Sequence, residues 1–271
     1  MGAHEPLSPL VDNASPRGGQ HFDLTGRVAL VTGASRGLGA AIARALCHAG
    51  ADLILWARDL PALERQAAQL PRSSSRHLIQ RVDVTKPALV RRALRQALQR
   101  LRRLDILVNN AGIWDGDAAI RLSRRAWDRV VATDLTSVFF VSQAVAPCMM
   151  QQRYGKIINL ASTSGLMALP EGAAYGTVKA GLMHLTRILA VEWGPHGIRV
   201  VGVAPGVFRT DMTRDLLADR RFCRRRLAEI PLRRFGEPDD LGGLAVFLAS
   251  GASDHITGQT IVIDGGASLT T

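Results

Sequence analysis

The sequence has 271 residues and is short of lysine, aromatics and cysteine. Only Lys86, Lys156 and Lys179 are lysines, so arginine carries nearly all the positive charge behind a formal net of +11. Aromatics are 5% of the chain, too few for the stacking rings that single-stranded nucleic acid needs. The arginines are spread over many predicted helices, so a solvated surface explains them better than a nucleic-acid face. The three cysteines, Cys47, Cys148 and Cys223, form no CxxC pair and sit in no histidine cluster. That spacing excludes a cysteine metal site and points to free thiols in a reducing compartment. No uninterrupted apolar run is as long as a bilayer is thick. Residues 1–20, MGAHEPLSPLVDNASPRGGQ, hold three prolines, three glycines and no apolar block, and read as a disordered arm rather than a signal peptide. These absences predict a cytoplasmic chain with no metal and no membrane or nucleic-acid partner.

What is present is an apolar fraction of 47%, enough for one large core over residues 21–271. Short β-type runs alternate with helical patterns. RVALVTG, ADLILWA, HLIQRVDV, LDILVNNAG, KIINLAS, IRVVGVAPG and QTIVIDGG are the candidate strands. They are near-continuously hydrophobic, as strands buried on both faces of a parallel sheet are. The alternation predicts an α/β fold, a single doubly wound Rossmann-type sheet of about seven strands flanked by helices. Ligands of such folds bind beyond the carboxyl ends of the strands.

The first strand runs into TGASRGLG, Thr32 to Gly39. Gly33, Gly37 and Gly39 allow a sharp turn and a close approach to an anion. Ser35, Arg36 and Leu38 complete a loop that opens a helix, whose first N–H groups and positive dipole end suit a pyrophosphate. The second strand ends on Ala57 and Arg58, with no acidic residue to hold both ribose hydroxyls of NAD. Arg36 and Arg58 suit a 2′-phosphate, so NADP(H) is favoured over NAD(H). Asp59 is expected to cap the next helix.

AAYGTVKAG holds Tyr175, one of two tyrosines in the chain, four residues before Lys179. On a helix the two lie one above the other. A phenol gives up a proton poorly near neutral pH, and a cation one turn away favours its charged form. Ser162, in NLASTSG, precedes the tyrosine by thirteen residues.

TGASRGLG, NNAG (Asn109 to Gly112), YGTVK and PGVFRT, taken in order, resemble the short-chain dehydrogenase/reductase family over about residues 22 to 267. The resemblance implies an NAD(P)-dependent interconversion of a ketone and a secondary alcohol. Tyr175 would be the general acid/base, Lys179 its tuning cation and a ribose ligand, and Ser162 the hydrogen-bond donor to the substrate carbonyl. Asp83 and Val84 would meet the adenine, while Asn110, Ala111 and Gly112 would close over the adenosine side. Pro205, Gly206, Val207 and Thr210 would hold the nicotinamide carboxamide. The small residues Ala174, Gly176 and Ala180 would let the cofactor lie close to the Tyr175 helix. The family has an asparagine where this chain has Asp134, and the expectation is that the Asp134 main chain does the work while its side chain points to other partners; facing Lys179 instead, it would hold the ammonium in place but offset its pull on Tyr175.

For the substrate, the resemblance extends to gluconate 5-dehydrogenases and to 3-oxoacyl-carrier-protein reductases. Polar keto-acids or keto-sugars are preferred. In the carrier-protein alternative, Arg153 and His196 would stand beside the active-site mouth. The segment from about 211 to 238, dense in arginine, is expected to be a substrate lid. The family also implies a homotetramer built on two long helices and the last strand. A non-catalytic nucleotide-sensing or nucleic-acid-binding module is the reading from another class.

Overall fold

The computed structural model describes residues 20–71 and 76–270. The expected N-terminal arm, but for Gln20, lies outside them. Strands β1 (Val28–Thr32), β2 (Asp52–Ala57), β3 (His77–Arg81), β4 (Ile106–Asn109), β5 (Gly155–Leu160), β6 (Ile198–Pro205) and β7 (Thr260–Ile263) form one parallel sheet in the order β3-β2-β1-β4-β5-β6-β7. The order reverses between β1 and β4, which opens a crevice at their carboxyl ends.

The helices are α1 (Gly37–His48), α2 (Leu60–Ala67), α3 (Pro87–Leu101), α4 (Arg124–Val131), α5 (Ser137–Gln152), α6 (Ala173–Trp193), α7 (Arg214–Ala218), α8 (Arg220–Glu229) and α9 (Gly242–Ala249). Each central strand feeds two cores because successive side chains point to opposite faces. Ala29, Val31, Leu53 and Leu55 pack with Ile42 and Leu46 of α1 and Leu248 of α9. Val28, Leu30, Ile54 and Trp56 pack with Leu94 of α3, Val145 of α5 and Trp193 of α6. A sheet covered on both sides explains why its strands lack polar alternation.

Two sequence readings change here. α4, a π-helical turn at Ala132–Thr136 and α5 run together as one helix, Arg124–Gln152, whose length and hydropathy suffice to cross a membrane. It is a layer of the fold: its α5 part packs on α3, β4 and β5. The second change concerns Arg153 and His196. They precede β5 and β6, at the amino ends of those strands, whereas Ser162 follows the carboxyl end of β5. A six-residue strand spans roughly 20 Å, so within one chain neither residue flanks a site built around Ser162.

Candidate active site

Ser162 follows β5 and opens a short 3-10 turn, Thr163–Gly165, and its hydroxyl accepts from Ser164 N at 3.2 Å. That turn lies directly on α6. A Cβ on Gly165 would stand 2.7 Å from Ala180 N, and one on Gly176 2.8 Å from Ser164 O. Two missing side chains thus bring the Ser162 turn against the helix that carries Tyr175 and Lys179. The room left by small residues on α6 is taken by the protein itself. Gly176 faces the Ser164 carbonyl, Ala174 is buried with Val130 and Val178, and Ala180 meets Gly165 through its backbone N–H while the residue itself is exposed. The expectation of space for a cofactor is corrected accordingly for Ala174 and Gly176.

Lys179 is buried, and its Nζ donates to Leu160 O at 2.8 Å. The same nitrogen lies 5.3 Å from the centre of the Tyr175 ring, one turn away as the spacing predicts. It also forms an ion pair with Asp134 Oδ2 at 3.1 Å. Asp134 is fully buried, and its Oδ1 accepts from Ile113 N at 2.9 Å. The expectation that this side chain points elsewhere is therefore wrong. The π turn places the carboxylate against the lysine, and Gly112 makes the approach possible, since a Cβ there would meet Asp134 Oδ2 at 2.6 Å. Burial holds the Asp134 carboxyl above the usual carboxylate range, against the pull of Lys179 and the Ile113 N–H. Burial also opposes the Lys179 charge, but Tyr175 and Asp134 more than offset it, and the ammonium is held above its ordinary value. The ammonium has three N–H donors, one of which goes to the Leu160 carbonyl.

The glycine loop sits across the crevice. Gly33 and Gly37 have φ of +66° and +57°, the left-handed region that glycine enters freely. α1 begins with no side-chain cap, so its first N–H groups are open to an anion. A Cβ on Gly39 would lie 2.3 Å from Asn110 Nδ2 and 2.5 Å from Gly33 O. Asn110 Nδ2 donates to Thr32 O at 2.9 Å, and the Asn110 and Ala111 N–H groups donate to Thr32 Oγ1. The NNAG segment therefore braces the phosphate loop.

Asn109 does a different task. Its Nδ2 donates to Ser142 Oγ and to Asn159 Oδ1, both at 2.9 Å, and Asn159 Nδ2 donates to Thr186 Oγ1. This buried chain ties β4 and β5 to α5 and α6. Sequence reasoning passed over Asn159, Ser142 and Thr186. The available signal was a polar residue near the end of each of two neighbouring strands, ILVN and IINL, which pair in register.

The remaining expected cofactor residues are near the crevice. β2 ends at Ala57, and the carboxylate of Asp59 accepts from Ala62 N at 3.0 Å, capping α2 as expected. Arg58 is exposed, and its carbonyl accepts from Arg81 Nε. Arg36 is largely exposed, 3.7 Å from Asp211. Asp83, two residues beyond β3 and just before Val84, holds Thr85 through Oδ1. After β6, Gly206 N donates to Ile263 O, Val207 packs beside Ile230 and Phe235, and the Thr163 hydroxyl donates to Pro205 O. Thr210 lies over Gly37, its Cγ2 3.6 Å from where a Cβ would be. The strand-six segment thus reaches the start of α1. An uncapped helix start, glycines that a side chain would obstruct and two exposed arginines, with no acidic residue closing β2 itself, fit a dinucleotide phosphate.

Comparison with known proteins agrees with this geometry. Residues 33–268 match a family model described as enoyl-(acyl carrier protein) reductase. Gluconate 5-dehydrogenase of Gluconobacter oxydans is 37% identical over 92% of this chain and 97% of its own length. A 3-oxoacyl-[acyl-carrier-protein] reductase of Synechocystis is 38% identical over 90% of this chain and 97% of its own. A solved gluconate 5-dehydrogenase of Burkholderia cenocepacia, in complex with NADP and tartrate, superposes with a TM-score of 0.89 at 36% identity, covering 93% of this chain and 99% of that one. The sheet order, the glycine loop ahead of α1 and the helix bearing Tyr175 and Lys179 are thus those of an oxidoreductase acting on CH–OH groups, and the chain belongs to the short-chain dehydrogenase/reductase family.

Proposed function

We propose that this protein interconverts a ketone and a secondary alcohol with NADP(H), using Tyr175 as general acid/base. The observation that carries the reading is the placing of Lys179. Its ammonium is buried, 2.8 Å from Leu160 O, and lies 5.3 Å from the Tyr175 ring, with the Ser162 turn packed against the same helix. A bound dinucleotide supplies the hydride. Tyr175 gives its phenolic proton to the carbonyl oxygen as that oxygen gains charge, and takes a proton from the alcohol in the reverse direction. Ser162 donates a hydrogen bond to the same oxygen and steadies the developing charge. Lys179 stabilises the phenolate left behind and offers an N–H to the ribose.

Arg36 and Arg58, together with the lack of an acidic group at the end of β2, support NADP(H) over NAD(H). The NADP reported with the Burkholderia relative supports the same choice. A polar keto-acid or keto-sugar is the proposed substrate, since gluconate-type dehydrogenases stand among the relatives and Arg153 and His196 lie away from the site. The segment after Thr210, through α7 and α8, would close the site as a lid, and the enzyme would assemble as a homotetramer.

The test is oxidation of NADPH, with NADH in parallel, against 5-keto-gluconate, a 3-oxoacyl thioester and small diketones. The wild type should turn over a ketone faster with NADPH. Tyr175→Phe should lose about a hundredfold or more. A Tyr175→Phe enzyme as active as its parent would refute the mechanism.

A further inference from the structure

Trp114 is an indole the proposed chemistry does not use. It follows β4 by a few residues, and its ring meets the Tyr175 ring edge-on, with centroids 5.1 Å apart and planes at 64°. It is nonetheless 43% exposed. A tryptophan that is partly open to solvent and touches the phenol has surface left for a ligand to cover.

The ring is also held in place. A Cβ on Gly116 would lie 2.7 Å from Trp114 Cζ2 and 2.6 Å from Glu171 O. Gly116 therefore lets its loop press against the indole on one side and the loop after β5 on the other. Asp115, between the two, forms an ion pair with Arg129 of α4 at 3.1 Å. Across the contact Glu171 has a φ of +62°, a strained value for a residue with a side chain, and such strain gathers at functional sites. An ordinary surface tryptophan needs none of these supports.

We propose that Trp114 is a substrate-binding residue, and that the C–H face of a polyhydroxy ketone packs on its indole while the carbonyl reaches Tyr175. This rests on the function proposed above and narrows its substrate class. Aromatic rings present a negative face, which suits the polarised C–H bonds of a sugar-derived chain. The hydroxyl groups on its other side stay with water. A four-carbon diketone is too short to cover the ring and to reach the phenol at once.

Trp114→Ala and Trp114→Phe would be assayed with NADPH against 5-keto-gluconate and diacetyl. The alanine variant should lose about tenfold more kcat/KM for 5-keto-gluconate than for diacetyl, mostly through KM, and the phenylalanine variant should recover most of it. Calorimetric titration of 5-keto-gluconate into the NADP+-loaded enzyme should show a matching weakening, and it needs no turnover. Equal losses for both ketones, a loss confined to kcat, or a larger loss for a 3-oxoacyl thioester would overturn the assignment. Retained activity in Tyr175→Phe would instead strike the underlying function, leaving the titration to judge Trp114. If the alanine variant fails to fold, Trp114→Leu, which keeps bulk but has no aromatic face, should show the same selective loss for 5-keto-gluconate, and equal losses for both ketones there would overturn the assignment.

Discussion

A buried carboxylate 3.1 Å from a buried ammonium decides how much of that ammonium's field reaches the phenol. Opposite charges in a low-dielectric site interact far more strongly than in water. Asp134 thus anchors Lys179, and it also offsets the charge that favours the Tyr175 phenolate. Replacing it by asparagine keeps the size and an acceptor for the Ile113 N–H, but removes the charge. Without that charge Lys179 loses one of the two groups that hold its ammonium above the ordinary value against burial, so it gives up its proton at lower pH. The expected result for Asp134→Asn is a displacement of the alkaline limb of the pH–rate profile towards acid, read from kcat/KM for oxidation between about pH 6 and 10. An unmoved profile would mean that the pair only positions the lysine. The identity of Asp134 was plain in the sequence, but its direction was not. The π turn that aims it depends on Gly112 and on tertiary packing around α6, neither of which has a signature in a window of local sequence. By contrast, Tyr175 and Lys179 were readable at once, because helical periodicity alone stacks residues four apart.

At the level of elements, what locates Ser162 is the seat of its turn on α6. Gly165 and Gly176 face backbone atoms at distances no side chain tolerates. Gly176→Ala would place its Cβ 2.8 Å from Ser164 O, and backbone cannot swing aside as a flexible side chain can. Overpacking of this kind costs about 1–3 kcal/mol. The variant should melt several degrees lower, and kcat should fall more than KM rises, because the Ser162 hydroxyl leaves the position where charge develops. A lowered melting temperature with unchanged kcat would show that the turn can shift without consequence. Strands and helices were legible from hydrophobic runs and glycine breaks, and their order follows from alternation. Gly176 was seen but given to the cofactor, and Gly165 was passed over, since the true neighbours of both lie on another element. Arg153 and His196 teach a converse point. In a parallel sheet, a residue just before a strand is at the end opposite the ligand crevice, so the sequence held the means to move them away from the site.

At the scale of the whole molecule, an apolar face is left uncovered by the described residues. Phe140 of α5 is 43% exposed, and Ile188 and Val191 of α6 are 41% and 78% exposed. A groove of about 420 Å³ between the two helices is lined by Leu135, Phe139, Phe140, Leu185 and Ile188. Surface apolar residues scattered singly need no explanation, whereas a contiguous patch marks an interaction site. The patch lies on the backs of the helices that bear Asp134 on one side and Lys179 on the other, so a second copy seated there would stiffen both partners of the buried ion pair. Charge does not prevent self-association here, because the arginine excess is greatest elsewhere: Arg220, Arg221, Arg224 and Arg225 are exposed on α8. Val191→Asp puts a carboxylate on the exposed apolar side of α6, three residues on from Ile188, where a mating apolar surface would have to bury it unpaired. Light scattering should report a tetramer for the parent and a smaller species for the variant. Activity per chain should fall with it if the interface supports the site through α5 and α6. A parent that is monomeric at micromolar concentration would leave the groove as a surface feature and confine the catalytic argument to one chain.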